Sequence, residues 1–466
     1  MSATIAFAFT FVAGIVAALI LISFSKYLFK LLPSRYRPAQ DPKHDRYQIL
    51  VLGDIGRSPR MQYHALSIVK SGAYVDLVGY KETARHPGLV GNPQVGLYPL
   101  TPQPEWLRWQ MSLFIGLPLK AVWQSYDLFC TLAYTAPAAK WIIIQNPPSI
   151  PTLHIAYIVS WLRGSKVMVD WHNYGYTIMA VNRSPSNPLV KLYKRYECFF
   201  GRRTPDVSIT VTEAMGRDMR KPPFRLKMPI LTLHDRPAAT FQPMTSRDER
   251  KKFLLGLRET TDYAENIIAG KTRLVVSSTS WTPDEDFGIL LEGLIKYAEG
   301  DSTDGSAKGQ ATPLLVIITG KGPQKADFEQ MMKKLKAGGH LPNVDITTAW
   351  LSTRDYATLL AAADLGVCLH RSSSGVDLPM KIVDMFGAGL PVAAYSAYES
   401  FNELVREGEN GCGFETADDL SVVLRRLLSG NAAELKGLRQ GAVKEGSRRW
   451  DDEWGPVIGK TLGLVA

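Results

Sequence analysis

The chain has 466 residues, 45% of them hydrophobic and 21% charged, which is enough for about two ordinary globular domains. Its formal net charge of +10 favours contact with anionic lipid headgroups or phosphorylated molecules. The sequence contains no zinc-finger spacing and no aromatic–basic RNA-binding signature, so we expect no nucleic-acid partner.

The chain begins with an apolar segment. Residues Ile5 to Ile22 contain no charged side chain, a length that suits a helix crossing a bilayer. Four basic residues follow it, namely Lys26, Lys30, Arg35 and Arg37. Positive charge on that side predicts that the rest of the chain stays in the cytosol, whereas a cleaved signal peptide, the alternative, carries its charge before the apolar run. We therefore predict a transmembrane anchor at 1–32 and a polar linker at 33–45.

After the linker, apolar strands alternate with helical patterns. Tyr47–Leu52 and Ala73–Gly79 are predicted strands on either side of a helix that starts near Pro59, which is a βαβ unit with a parallel sheet. The same rhythm restarts after a proline-containing crossing, so the predicted fold is α/β, with two Rossmann-like doubly wound domains facing a cleft. The resulting division is 46–232 for the N-terminal domain, 233–245 for the crossing, 246–435 for the C-terminal domain and 436–466 for a helical segment that returns to the N-terminal domain.

Long apolar and aromatic stretches stand out in the N-terminal half. Trp106–Trp109, Met111–Tyr134 and Ile150–Leu162 fit either buried helices or a face that rests on a membrane, and the sequence leaves both interpretations open. The four cysteines form no CxxC pair, so we expect buried, reduced thiols at Cys130, Cys198, Cys368 and Cys412.

The most informative stretch is Ser372–Val392, which follows a predicted strand and opens with a loop of small residues. Pro379 suits the first turn of a helix, on which Asp377, Lys381 and Asp384 share one face. The lysine and the amide groups of the helix start can hold a diphosphate, and Asp384 can accept hydrogen bonds from ribose hydroxyls. A solvated salt-bridge face is the alternative.

The end of this stretch resembles the nucleotide-sugar helix of glycosyltransferases with two Rossmann-like domains, the GT-B fold. Those sites usually have two acidic residues separated by seven others and followed by a turn like Gly387–Val392. Asp384 matches the second acid, but the first would fall on Val376, one position before Asp377. The departure argues against the common retaining subfamilies of this fold.

Four further segments resemble the chitobiosyldiphosphodolichol β-mannosyltransferase family, and the resemblance extends over nearly the whole chain. The segments are Gly53–His64, Asp170–Gly175, His234–Pro237 and Ser277–Phe287. The resemblance implies transfer of mannose from GDP-mannose to GlcNAc2-diphosphodolichol, with inversion to a β-1,4 linkage, in lipid-linked oligosaccharide assembly for N-glycosylation. It also implies the cytosolic face of the endoplasmic reticulum membrane, with membrane lipid and other mannosyltransferases of the pathway as candidate partners. The alternatives are a GT-B enzyme with another nucleotide-sugar and a catalytically silent membrane subunit.

An inverting transferase needs a base that takes the proton of the acceptor hydroxyl. Asp54, Asp170 and His172 each follow or end a predicted strand, so all three are rival bases at the cleft edge, and we favour His172. Gly53 and Gly56 permit close backbone approach, and Arg57 and Arg60 add positive charge, so an acceptor diphosphate is expected there or, alternatively, a tight turn with surface arginines. The predicted acceptor-binding residues are Gly53, Gly56, Arg57 and Arg60.

The donor site is expected on the C-terminal domain. Its predicted residues are Ser278, Thr279, Ser280, Trp281, Gly320, Gly322, Asp377, Lys381 and Asp384, with His234 and Arg236 from the crossing, whose alternative role is a hinge. The acidic run Asp284-Glu285-Asp286 is predicted as the first turn of a helix, so we expect no metal ligand and no cofactor besides the sugar nucleotide.

Overall fold

The computed structural model describes residues 32–41, 44–105, 113–282, 285–300, 311–429 and 432–465. Within these ranges, no helix is both long and apolar enough to cross a bilayer. The predicted anchor, apart from Leu32, and the stretch Trp106–Trp109 lie outside the described residues.

The N-terminal half forms a parallel sheet, seven-stranded over the described residues, in the order β3-β2-β1-β4-β5-β6-β7. Its strands are β1 Arg46–Asp54, β2 Tyr74–Tyr80, β3 Val95–Pro99, β4 Trp141–Asn146, β5 Lys166–Trp171, β6 Val207–Thr210 and β7 Ile230–Thr232. Its helices are α1 Pro59–Lys70, α2 Leu113–Cys130, α3 Thr152–Arg163, α4 Gly175–Arg183, α5 Pro188–Gly201 and α6 Glu213–Arg220.

The C-terminal half repeats the same topology in the order β10-β9-β8-β11-β12-β13, again with parallel pairs. Its strands are β8 Arg273–Ser278, β9 Leu314–Thr319, β10 Val344–Ala349, β11 Leu365–Cys368, β12 Val392–Tyr395 and β13 Gly411–Phe414. Its helices are α7 Arg247–Gly256, α8 Ala264–Ile268, α9 Phe287–Glu299, α10 Lys325–Ala337, α11 Thr353–Ala362, α12 Met380–Gly387, α13 Phe401–Leu404, α14 Ala417–Leu428 and α15 Ala432–Gly446.

Both sheets therefore have the Rossmann strand order, in which the chain reverses its direction of travel between the first and fourth strands. In such sheets the crevice at this switch point, beyond the carboxyl ends of the strands, is where ligands bind. The loops that follow β1, β5, β8 and β11 are consequently the places to look for functional side chains.

The buried strands have apolar side chains on both faces, as parallel sheets require. In the N-terminal sheet, Leu50 and Ile144 pack with α2, α3 and α5 on one face. Ile49 and Ile143 pack with α1 on the other face. The period of two along each strand thus divides the core into two layers.

The C-terminal end of the chain packs against the N-terminal sheet. After α15, the short helices α16 Trp450–Trp454 and α17 Lys460–Leu462 add Trp450, Trp454 and Leu462 to the core layer that contains α1. The hydroxyl of Tyr47 in β1 donates to the Leu462 carbonyl at 3.2 Å. The last segment thereby joins the two halves a second time, in addition to the crossing between β7 and α7.

Candidate active site between the two sheets

The carboxyl end of β5 brings a carboxylate and an imidazole together. The His172 N–H donates to the Asn146 carbonyl at 2.9 Å, so the strand ladder continues one residue past β5. Because alternate residues of a strand share a face, Asp170 and His172 lie on the same side, with His172 Nε2 3.3 Å from Asp170 Oδ2. The imidazole is about a quarter exposed, whereas the carboxylate is fully buried.

Positively charged and hydrogen-bond-donating side chains surround the Asp170 carboxylate. Arg60 donates to both carboxylate oxygens, at 2.7 and 3.1 Å, and His64 Nε2 lies 3.1 Å from Oδ2. Burial opposes ionisation of Asp170, but Arg60 and His172 outweigh it and hold the pKa of the carboxyl well below its usual range. A carboxylate held in this way is a poor proton acceptor, and its geometry suits the orientation of His172; Asp170 as a rival base stays a prediction.

Arg60 is a buried cation whose contacts favour a structural role, so that acceptor binding by this residue stays a prediction. Besides Asp170, it donates to Asp235 Oδ1 at 2.9 Å, and its guanidinium lies 5.3 Å from the ring centroid of Trp450. Two carboxylates and an aromatic face satisfy a side chain that is only 6% exposed. Arg57, by contrast, is 74% exposed and reaches no closer than 3.6 Å to Asp54.

His64 completes the shell around Asp170, and the sequence analysis missed it. Trp454 Nε1–H donates to His64 Nδ1 at 2.9 Å, so Nδ1 is the unprotonated nitrogen and Nε2–H points to Asp170. Burial lowers the pKa of His64 more than Asp170 raises it, so the ring is neutral. The signal in the sequence was its spacing, because His64 follows Arg60 by one helical turn on α1.

Asp54 holds a turn. It accepts hydrogen bonds from the backbone N–H groups of Gly56, Glu82 and Thr83, and from the Thr83 hydroxyl at 2.5 Å. Burial opposes its ionisation, but these donors outweigh it and lower its pKa, which favours a structural role; Asp54 as a base stays a prediction. A Cβ at Gly56 would lie 2.3 Å from Thr83 Oγ1, so that glycine serves this packing rather than the approach of a ligand. Gly53 has ordinary space around it.

The helix α12 holds Asp384 near the crossing. Burial, reinforced by the charge of Asp235, raises the pKa of Asp384 to about 7. The charge of Asp384 also acts on Tyr63 of α1 and Tyr356 of α11. Asp384 therefore lies where the two domains and the crossing meet, and among the described residues no cation offsets the rise of its pKa.

Lys381, one turn before Asp384, forms an ion pair with Glu285. The buried carboxylate of Glu285 also accepts from the Thr279 hydroxyl and from the Ser280 N–H at 2.8 Å. This network ties the start of α12 to the loop after β8, and the lysine ammonium remains about one-fifth exposed. Glu285 was predicted only as part of an acidic helix turn, which the structure corrects, because α9 begins at Phe287 and the Glu285 backbone bridges to His370.

Asp377 forms contacts across the cleft. It accepts from Asn173 Nδ2 at 3.0 Å, and His370 Nε2 lies 3.4 Å away. Burial opposes its ionisation, but His370 and Ser372 outweigh it and lower the pKa of Asp377. Because Asn173 directly follows His172, this hydrogen bond places the end of β5 against the loop that precedes α12.

Other predicted donor residues have structural partners. The Ser278 hydroxyl accepts from Tyr356 at 2.8 Å, and Trp281 is fully buried and stacked on Phe287 with ring centroids 4.6 Å apart. A Cβ at Gly320 or Gly322 would lie within 2 Å of the Thr279 or Ser280 carbonyl oxygen. These residues pack the loops after β8 and β9 together, whereas Ser280 is exposed, and donor binding by this set stays a prediction.

The crossing residues form ion pairs with the C-terminal half. Arg236 is buried against Glu445 and Glu453, and Arg236 Nη1 lies 2.7 Å from Glu445 Oε1. His234 Nε2 lies 3.3 Å from Glu403, which accepts from the first two N–H groups of α6 at 2.7 Å each. These contacts favour the alternative, a polar hinge, and donor binding by His234 and Arg236 stays a prediction. In the residues that the structure describes, no cluster of three or more His, Cys, Asp or Glu is arranged to hold a metal ion.

The arrangement can be compared with known proteins. A chitobiosyldiphosphodolichol beta-mannosyltransferase of Arthroderma benhamiae is 43% identical, over 95% of this chain and 97% of the relative. The chain belongs to the chitobiosyldiphosphodolichol beta-mannosyltransferase family. The mouse protein of the same name is 38% identical, over 95% of this chain and 93% of its own, and an Arabidopsis thaliana protein named UDP-glycosyltransferase TURAN is 38% identical over 91% and 99%.

A family model described as "Glycosyl transferases group 1" matches residues 306–430, and the protein is a glycosyltransferase. Among solved structures, sucrose-phosphate synthase from Thermosynechococcus elongatus superposes with a TM-score of 0.61 at 13% identity, over 90% of this chain and 97% of its own. Anabaena HepE in complex with UDP gives a TM-score of 0.60 at 15% identity, over 90% of this chain and 100% of its own. These structures show that the chain shares its two-domain fold with glycosyltransferases.

Proposed function

We propose that this protein transfers mannose from GDP-mannose to dolichyl-diphosphate chitobiose, with inversion to a β-1,4 linkage. Membership of the family supports the reaction class, and the names of the relatives supply the lipid-linked chitobiose acceptor. The guanine nucleotide and the linkage are the parts of the proposal that experiment must establish.

One observation carries the proposal. The end of β5, with His172 and Asn173, meets the loop that precedes α12, and the Asn173–Asp377 hydrogen bond joins them. His172, the proposed proton acceptor on one wall of the cleft, therefore lies opposite a wall with a lysine, a carboxyl and the amino end of a helix. An inverting glycosyl transfer uses this pairing, because the acceptor hydroxyl and the nucleotide leaving group lie on opposite sides of the anomeric carbon.

In the proposed mechanism, His172 takes the proton of the acceptor hydroxyl as that oxygen bonds to the anomeric carbon. Since His172 Nε2 faces Asp170, the other ring nitrogen accepts the proton, and the ionised Asp170 stabilises the resulting imidazolium. The bond from the anomeric carbon to the diphosphate breaks, and GDP leaves with both electrons of that bond. Lys381 and the first N–H groups of α12 neutralise the growing charge.

We further propose that residues 1–32 anchor the enzyme in the endoplasmic reticulum membrane with both domains in the cytosol. The support is the apolar run followed by basic residues and the dolichol-linked acceptor in the names of the relatives. A lipid-linked acceptor remains at the bilayer, so an enzyme that is held there meets it without leaving the surface.

A second candidate donor follows from the Arabidopsis relative, whose name specifies a UDP-glycosyltransferase. The experiment that separates the two supplies purified full-length protein with GDP-mannose, UDP-glucose or UDP-N-acetylglucosamine and a lipid-diphosphate chitobiose. We expect a single added hexose only with GDP-mannose, removable by β-mannosidase and not by α-mannosidase. Transfer from a UDP-sugar, or an α-linked product, would contradict the proposal.

A further inference from the structure

The apolar surface of the described chain is concentrated in one region. Fourteen of the twenty-three exposed large hydrophobic side chains lie between Leu117 and Phe199, which is under a fifth of the sequence. Trp161 is 75% exposed, Tyr126 66% and Leu192 63%. Clusters of this kind on a protein surface mark contacts with another apolar body.

The helices that bear these side chains form one layer. Helices α2 and α3 are in contact, α3 contacts α5, and α5 contacts α4. Their inner faces contribute Leu128, Ile155 and Cys198 to the same core layer of the sheet. Their outer faces therefore form a continuous surface on the side of the N-terminal domain opposite α1.

Helix α5 shows what this surface is suited to contact. Leu192, Arg195, Phe199 and Arg202 follow one another on the exposed stripe of α5 and the residue just after it. The single acidic residue of the helix, Glu197, is fully buried and accepts from the N–H groups of Gly175 and Tyr176. The exposed stripe is thus apolar and cationic without a compensating acid.

The same charge bias extends over the whole layer. Residues 113–204 contain ten lysines and arginines against three acids, namely Asp127, Asp170 and Glu197, of which the last two are fully buried. A groove of about 420 Å³ on α5 is lined by Lys191, Lys194, Arg195, Phe199 and Arg202. Cations beside exposed aromatic and aliphatic side chains are the composition of a helix that lies in an anionic membrane interface.

The position of the N-terminal linker agrees with a membrane as the body that covers this surface. Tyr36 N–H donates to the Arg163 carbonyl at 2.7 Å, and Arg163 Nε donates to the Ser34 carbonyl at 3.0 Å. The chain that precedes Ser34, which contains the apolar run Ile5 to Ile22, therefore joins the domain at the end of α3, two residues from Trp161. A membrane that holds this run is therefore tethered to the domain beside the exposed surface.

We propose that the outer surface of α2, α3, α4 and α5 rests on an anionic lipid bilayer, with α5 in the headgroup region. The inference deepens the proposed function, on which it rests for the lipid-linked acceptor. With the protein held on this side, the cleft is presented to an acceptor whose diphosphate lies at the membrane surface.

The test places a fluorescent label at Leu192→Cys in the full-length chain, with Cys130→Ala to remove the half-buried thiol. A matched control carries the label at Val422→Cys, an equally exposed apolar position of α14 at 60%. In vesicles of phosphatidylcholine and phosphatidylserine with a lipid-attached quencher, we expect at least three-fold more quenching at 192 than at 422. Equal quenching would overturn the proposal, as would self-quenching at 192 that depends on protein concentration, because a second copy would then cover the surface.

The charged part of the surface has its own control. Lys191→Glu with Arg195→Glu should lose most of the quenching at 192, whereas Lys333→Glu with Lys334→Glu, exposed on α10, should leave it unchanged. Unchanged quenching in the first pair would contradict anionic headgroup contact. This readout needs no sugar transfer, so the two proposals can fail separately. A quenched label in an enzyme that uses another substrate would support membrane contact and contradict the proposed function. Sugar transfer with an unquenched label would support the function and contradict membrane contact.

Discussion

The carboxyl of Asp384 makes the free energy of unfolding depend on pH. Burial and the charge of Asp235 raise its pKa from 3.8 to about 7, so the folded protein keeps this proton to a much higher pH than the unfolded chain does. The free energy of unfolding therefore falls as pH rises from about 4 through 7, because the unfolded chain loses this proton first.

Asp384→Asn should accordingly be more stable than the parent protein at pH 8, by up to about 4 kcal/mol, and equal to it at pH 4. If Asp384 accepts ribose hydroxyls as predicted, the same variant should bind GDP more weakly at pH 8, because an amide then replaces the ionised carboxylate. Urea denaturation and calorimetric titration with GDP at both pH values check this. A loss of stability at pH 8 would mean that the carboxylate has a cationic partner.

Lys381 is the second residue of α12 that we propose contacts the sugar nucleotide. Lys381→Ala should weaken GDP binding at least ten-fold, because the ammonium that meets the diphosphate is lost, while the fold is retained through the Thr279 and Ser280 hydrogen bonds of Glu285. Lys333→Ala on the exposed face of α10 is the control. Equal GDP affinity in both variants would remove Lys381 from the site.

At the scale of the element, helix α16 near the end of the chain fixes the tautomer of His64 in the N-terminal half. Trp454→Phe keeps the apolar contact but removes the donor to His64 Nδ1, which then stays buried without a partner. We expect a loss of about 1–2 kcal/mol in the free energy of unfolding, with Trp350→Phe, at a position 60% exposed, as the neutral control. Equal denaturation midpoints for both variants would contradict the fixed tautomer.

The elements also show what the sequence can and cannot predict. The strand pattern, the βαβ rhythm and the shared helix face of Lys381 and Asp384 depend on neighbouring residues, and periodicity finds them. The pairing of Arg60 with Asp170 and Asp235 joins positions 110 and 175 residues apart, and no local pattern indicates it. For the same reason, Asp54 could be placed at a strand end but not recognised as the acceptor of its turn.

At the scale of the whole molecule, the crossing and both halves meet at His234. Burial lowers the pKa of His234, but Glu403 and Glu453 outweigh it and raise the pKa to about 9. The stabilisation is fully present below the unfolded value of 6.5 and is lost as pH rises through 9.

His234→Ala should therefore lower the free energy of unfolding by about 1–3 kcal/mol at pH 6, and by much less at pH 10. Denaturation of the variant and the parent at both pH values measures the difference. A cost that is independent of pH would mean that His234 acts through packing alone and not as a charged link between Glu403 and the N-terminal half.

The central claim is that His172, oriented by Asp170, takes the acceptor proton in a cleft whose other wall binds the sugar nucleotide. The most direct measurement compares turnover and GDP affinity in His172→Ala and the parent protein, with a lipid-diphosphate chitobiose as acceptor. We predict a turnover lower by about 10²–10⁴-fold with GDP affinity unchanged within two-fold. Turnover within a few-fold of the parent, in a variant that is folded and binds GDP, would contradict the account.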